Sequence, residues 1–117
     1  MGQSFIKAVA FKDLVDRKSA CMKLNDWPVL LIYSSNKVFA MMNMCSHQNS
    51  ELEGGRIRRG TIMCPLHGAR FKLENGENIG GQYPPVKTFN SRIKDAWVEV
   101  EIPDEAYVAE IASASGF

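Results

Sequence analysis

Apolar and polar positions alternate along this chain in short stretches, each closed by turn-forming residues. Four stretches come first, at residues 4–10, 18–24, 28–34 and 37–43, with Asn25-Asp26-Trp27 and Ser35-Asn36 as turns between them. Phe11-Lys12-Asp13-Leu14 fits a short helical turn linking the first two. An irregular stretch, 44–55, ends on Gly54-Gly55. Thr61-Ile62-Met63 and Arg70-Phe71-Lys72-Leu73 then read as strands flanking a loop at 64–68, with a turn at Asn75-Gly76. Residues 78–86 are too rich in Gly and Pro for regular structure. A final hairpin runs from Thr88 to Ile93 and from Ala96 to Ile102, turning at Lys94-Asp95. Its second strand puts Val98, Val100 and Ile102 on one face and Trp97, Glu99 and Glu101 on the other. Short strands with frequent turns predict an all-β sandwich or barrel. From Pro103 the pattern fits one or two helical turns around Asp104 to Ala112. Residues 1–103 therefore read as one domain and 104–117 as a C-terminal tail with no assigned function.

Composition narrows the class. The 117 residues are enough for one domain with a real core, and 45% apolar and 23% charged residues are ordinary for a globular protein. Fourteen basic against 13 acidic residues give a net charge of +1, which argues for neither nucleic acid nor a membrane surface. No run approaches the ~18 apolar residues of a membrane span. Met1-Gly2-Gln3-Ser4-Phe5-Ile6-Lys7 lacks the charged start and apolar run of a secretory leader, and Ile6 breaks the myristoylation pattern that Gly2 would begin. The expectation is a soluble cytoplasmic protein.

Candidate chemistry is concentrated in one place. Cys45-Ser46-His47 and Cys64-Pro65-Leu66-His67, separated by 16 residues, hold both histidines of the chain and two of its three cysteines. Thiolates suit iron–sulfur clusters and zinc, and imidazole suits zinc, copper and iron, so the residue types alone leave the metal open. Pro65, Gly68, Gly54 and Gly55 mark turns, which are poor places for inert buried Cys and His. With Cys45 and Cys64 assigned to a metal, Cys21 has no disulfide partner in the chain and reads as a small packing residue on the strand 18–24.

The two runs resemble the Rieske [2Fe–2S] proteins, in which two histidines replace two cysteines on one of the two irons. Cys64-Pro65-Leu66-His67-Gly68 has the form found in soluble Rieske ferredoxins and related oxygenase components, and the likeness extends from about residue 4 to residue 102. It implies stacked antiparallel β-sheets with a small cluster-binding subdomain. Two ligand loops and a Pro-rich lid within residues 44–86 would form that subdomain, the lid being Gly80-Gly81-Gln82-Tyr83-Pro84-Pro85. Carried over by position, Cys45 and Cys64 hold one iron of a single [2Fe–2S] cluster, and His47 and His67 hold the other. A zinc site with these four ligands is the alternative, but zinc fingers space His-x3–5-His after Cys-x2–4-Cys, whereas here each loop mixes one Cys with one His.

The resemblance also places the chain within its family. High-potential members carry two further cysteines in a disulfide between the ligand loops, at positions held here by Ser50 and Leu66. They carry a Ser and a Tyr where this chain has Ala69 and Phe71, and those hydroxyls donate hydrogen bonds to sulfur. Such bonds stabilise the reduced cluster, so their loss implies a potential of about −150 to 0 mV, at the low end of the Rieske range. Quinol oxidation is not expected.

No histidine remains for the mononuclear iron of an oxygenase's catalytic subunit. The implied role is an electron-carrying ferredoxin rather than an enzyme. Its transient partners would be an NAD(P)H-dependent flavin reductase and a terminal Rieske non-haem iron oxygenase of aromatic catabolism. A monomer is expected. The alternatives are a small subunit bound inside a nitrite-reductase-type enzyme and a zinc-bound structural module. Arg56-Ile57-Arg58-Arg59, between the ligand loops, reads first as a solvated turn and second as a docking patch for an acidic partner. Family ferredoxins are more often acidic, so this nearly neutral chain departs from them.

Overall fold

The computed structural model describes residues 2–46, 50–66 and 68–108. In chain order these form β1 (Gln3–Ala10), α1 (Phe11–Arg17), β2 (Ser19–Leu24), β3 (Trp27–Ser34), β4 (Lys37–Met42), β5 (Arg56–Arg58), β6 (Thr61–Met63), β7 (Arg70–Lys72), β8 (Thr88–Phe89), β9 (Ser91–Lys94) and β10 (Trp97–Pro103). All pairing is antiparallel, in sheets of order β1-β10-β9, β2-β3-β4-β8 and β5-β6-β7. This is the expected all-β arrangement, with two larger sheets and a small one carrying the metal-competent loops.

The apolar pattern explains the layering. Val29, Leu30, Leu31 and Ile32 are consecutive and buried, so β3 is covered on both faces and sits inside its sheet. On β10, Val98, Val100 and Ile102 are fully buried while Trp97 is 38% exposed, as the alternation predicts. Glu99 lies on the polar face yet is also buried, and Arg92 Nε donates to its Oε1 at 2.6 Å. Leu14 of α1 joins this core, which continues without a break to Leu52, Ile62, Phe71 and Leu73 beneath the small sheet.

Several boundaries differ from expectation. The helix covers seven residues rather than one turn, with Asp13 in its first turn, Arg17 in its last and Lys18 at its C-cap in the left-handed region. Trp27 is not part of a turn. It begins β3 opposite Leu24, because Asn25 and Asp26, at φ 51° and 67°, complete a two-residue primed turn by themselves. The last turn falls at Asp95-Ala96, one residue later than expected, since Lys94 pairs with Trp97. The strand expected from Thr88 to Ile93 is two strands, β8 and β9, and the chain changes sheet at Asn90. Residues 104–108 form no helix; the remainder of the expected helical turns, 109–112, lies outside the described residues.

The start of the tail is fastened to the domain. Asp104 N–H donates to Gly2 O, Trp27 Nε1–H donates to Glu105 O at 3.0 Å, and Tyr107 packs on Trp27 with ring centroids 4.9 Å apart. The basic run 56–59 is a strand ending in a turn at Arg59-Gly60, not a solvated turn, because Ile57 pairs with Ile62 and points inward.

Two glycines separate backbone strain from steric overlap. Gly60 and Gly76 both have positive φ, 76° and 79°, but a Cβ at Gly60 meets nothing within 4 Å, whereas one at Gly76 falls 1.9 Å from Val86 O. Gly60→Ala is expected to cost about 1 kcal/mol and Gly76→Ala clearly more, measured by urea unfolding. Equal losses would mean that the segment around Val86 yields without cost.

Candidate metal centre

The two ligand loops close in the same way. Cys45 N–H donates to Ser50 O at 2.6 Å, and Cys64 N–H donates to Ala69 O at 2.7 Å, so each cysteine is bonded to the residue five positions on. In the second loop Gly68 N–H also donates to Cys64 O at 3.0 Å. Each loop is thus bridged by a backbone bond from its cysteine. Each cysteine is buried, at 1% and 2% exposure, although Leu66 beside Cys64 is 55% exposed. None of the three cysteines is in a disulfide.

A chain of contacts holds the loops and the lid segment together. The Ser46 hydroxyl donates to Pro84 O at 2.5 Å, tying the first loop to the Pro-Pro segment 38 residues on. Asn78 Oδ1 accepts from the N–H groups of Gln82 and Tyr83, while its Nδ2 donates to Arg70 O at the exit of the second loop. Gly55, at the end of the first loop, runs against the entry to the second: a Cβ there would lie 2.3 Å from Met63 O. Buried Asn43 braces the first loop from behind, its Oδ1 accepting Glu53 N–H at 2.8 Å. Leu52, fully buried, fills the space beneath.

Cys45 and Cys64 thus stand on loops that are tied to each other and to the lid segment. His47 and His67 lie outside the described residues. Cys45 and Cys64 are buried thiols outside any disulfide, and a cysteine sulfur is a ligand type for both iron–sulfur clusters and zinc. Ser46, Asn43, Asn78 and Gly55 are the positioning residues that the motif alone does not reveal. Of these, only Asn78, two residues before Gly80-Gly81, carries a local signal, that of a side-chain-capped turn.

Cys21 has a different environment. Hydrogen bonding to Glu53, then burial, then the negative charges of Glu53 and Glu51 hold its thiol pKa above the ordinary value. A raised pKa means less thiolate near neutrality, so this cysteine is a protonated packing group behind the first loop. Charge is also divided across the site. Glu51 and Glu53 belong to the first loop, whereas Arg56, Arg58, Arg59, Arg70 and Lys72 surround the small sheet.

With this geometry in place, comparison with known proteins is informative. The anthranilate 1,2-dioxygenase ferredoxin subunit of Burkholderia cepacia is 27% identical over 94 residues, covering 80% of this chain and 87% of the relative. The ferredoxin of Sphingomonas yanoikuyae B1 superposes with a TM-score of 0.77 at 24% identity, covering 86% of this chain and all of that one. A solved complex of reduced oxygenase and oxidised ferredoxin in carbazole 1,9a-dioxygenase contains a chain that matches with a TM-score of 0.75 at 21% identity, covering 89% of this chain and 96% of the other. The model of the Rieske [2Fe–2S] domain matches residues 4–90, a span that takes in both ligand loops and the lid segment, and the chain therefore belongs to that family.

Proposed function

We propose that this protein carries single electrons on one [2Fe–2S] cluster, taking them from an NAD(P)H-dependent flavin reductase and delivering them to a terminal Rieske non-haem iron oxygenase. The observation that carries the reading is the pair of buried thiols, Cys45 and Cys64, each with its N–H bonded to the residue five positions on, within the matched Rieske span. In this reading Cys45 and Cys64 supply thiolates to one iron, and His47 and His67 supply neutral imidazoles to the other. When bound, the cluster supplies a site that accepts and releases one electron. The rest is the work of the chain. Two neutral ligands leave the site less negative than four thiolates, so adding an electron is easier. Pro84 and Pro85, lacking N–H groups, keep the lid stiff and add no unpaired donors beside sulfur.

Ala69 and Phe71 set the direction of tuning. Neither offers a hydroxyl proton to sulfur, which keeps the potential near the bottom of the family range. The partner assignment draws on relatives named as ferredoxin components of dioxygenase systems and on the solved ferredoxin–oxygenase complex. The reading takes the protein as a monomer that meets each partner transiently, rather than as a subunit buried in a larger enzyme. No helix of the described residues is long and apolar enough to cross a membrane, in keeping with a cytoplasmic carrier. The oxygenase, not this chain, selects the substrate.

The purified protein is expected to hold iron and acid-labile sulfide in equal amounts and to undergo one reversible one-electron reduction in a spectroelectrochemical titration. A colourless protein binding a single zinc would overturn the proposal. Cys64→Ala should lose the visible cluster spectrum, and a full spectrum in that variant would refute the ligand assignment.

Ala69→Ser with Phe71→Tyr should raise the potential. Phe71 is fully buried, so a Tyr hydroxyl left unpaired there would cost about 1–3 kcal/mol, whereas one bonded to sulfur would not. An unchanged potential together with that stability loss would show that the hydroxyl never reaches the sulfur.

A further inference from the structure

The register of the small sheet sorts its residues onto two faces. Ile57, Ile62 and Phe71 pair across the three strands and point into the core. The neighbouring rows, Arg56–Met63–Arg70 and Arg58–Thr61–Lys72, therefore point outward together. With Arg59 at the turn, this face carries five cations. Lys72 is paired with Glu77 at 3.2 Å, but among the described residues none of the four guanidinium groups makes an ion pair. Arg56, Arg58, Arg59 and Arg70 instead line an open hollow of about 300 Å³ together with Thr61, Met63 and Ile79. In a chain of net charge +1, this is a local concentration of positive charge.

The position of the hollow matters as much as its charge. Met63 immediately precedes Cys64, Arg70 follows the second loop, and a Cβ at Gly68 would lie 3.8 Å from Met63 Sδ. The basic shelf thus adjoins the second ligand loop, in which Leu66 is exposed. Arg56, Arg58, Arg70 and Lys72 each face an uncharged residue of the central strand β6, Met63 or Thr61, so these cations flank an uncharged row. Guanidinium groups match planar carboxylates in bidentate geometry, and a cleft lined by one sign of charge steers the opposite sign toward it. The hollow has no aromatic side chain on which a nucleobase could stack, which disfavours a nucleic acid.

We propose that the outer face of the small sheet, centred on Arg56, Arg58 and Arg70, docks an acidic protein partner and guides it onto the second ligand loop. The proposal rests on the electron-carrier reading and names the chemistry of the partner's contact face. Carboxylates on that partner take up the four arginines, and Met63, Ile79 and Leu66 supply apolar contact beside the electron's exit.

The test uses the reduced holoprotein in stopped flow, with the trianion ferricyanide as oxidant and poly-L-glutamate as the acidic-protein probe. The second-order rate constant is expected to fall about tenfold from low to high ionic strength, and poly-L-glutamate at low salt should slow the reaction severalfold by covering the face. The Arg56→Gln/Arg58→Gln/Arg70→Gln variant should lose most of both effects while retaining its cluster, and the corresponding triple Lys variant should keep the salt dependence. A rate indifferent to salt and to poly-L-glutamate, or equal effects in the wild-type and Gln variants, would overturn the proposal. So would a DNA oligonucleotide slowing the reaction where poly-L-glutamate does not. Failure of the carrier reading itself shows separately, as a protein with no reducible cluster to oxidise.

Discussion

Ile62 lies between Ile57 and Phe71 across three short strands, and this inward-facing row joins the small sheet to the core. Burial of the fully enclosed Ile62 and Phe71 is worth about 1.5–3 kcal/mol each, with a smaller share from the partly buried Ile57, which matters in strands only three residues long. The row also fixes everything around it. With a side-chain period of two, burying Ile57, Ile62 and Phe71 sends Arg56, Met63 and Arg70 outward and starts the second ligand loop immediately after β6. A slip of one residue would turn arginines into the core and misplace Cys64. Register is therefore strongly specified here, and the loops inherit their position from it.

Above that row, rigidity comes from polar bonds between segments distant in sequence. Ser46 reaches Pro84, Asn78 joins the lid to Arg70, and the backbone of Gly55 lies against Met63. A group that changes charge by one electron is best held in a frame that does not rearrange when it does so. The bonds from Cys45 N–H to Ser50 O and from Cys64 N–H to Ala69 O contribute to such a frame.

Much of this was legible in the sequence. The alternation Val98, Val100, Ile102 defined β10 and its buried face, and the paired Cys-x-His and Cys-x-x-His runs located the candidate centre. Other features were hidden for physical reasons. In Arg56-Ile57-Arg58-Arg59 a single Ile carries the strand signal, and three charges mask it. Nothing in Thr88-Phe89-Asn90-Ser91 announces a change of sheet, because both strands share the same local propensity and only tertiary pairing separates them. The Ser46–Pro84 bond spans 38 residues, beyond any local pattern. The tail looked separable, yet Trp27 and Tyr107 bind its first residues to the domain through an aromatic contact between distant segments.

The central claim is mixed ligation, with thiolates on one iron and imidazoles on the other. The most direct measurement is pulsed EPR of the dithionite-reduced protein grown with ¹⁵N-labelled histidine. Strong ¹⁵N couplings from two histidine nitrogens, replaced by ¹⁴N couplings in a protein labelled at every nitrogen except those of histidine, are the predicted result. A paramagnetic cluster without histidine coupling, or a protein with no cluster signal, would contradict the account.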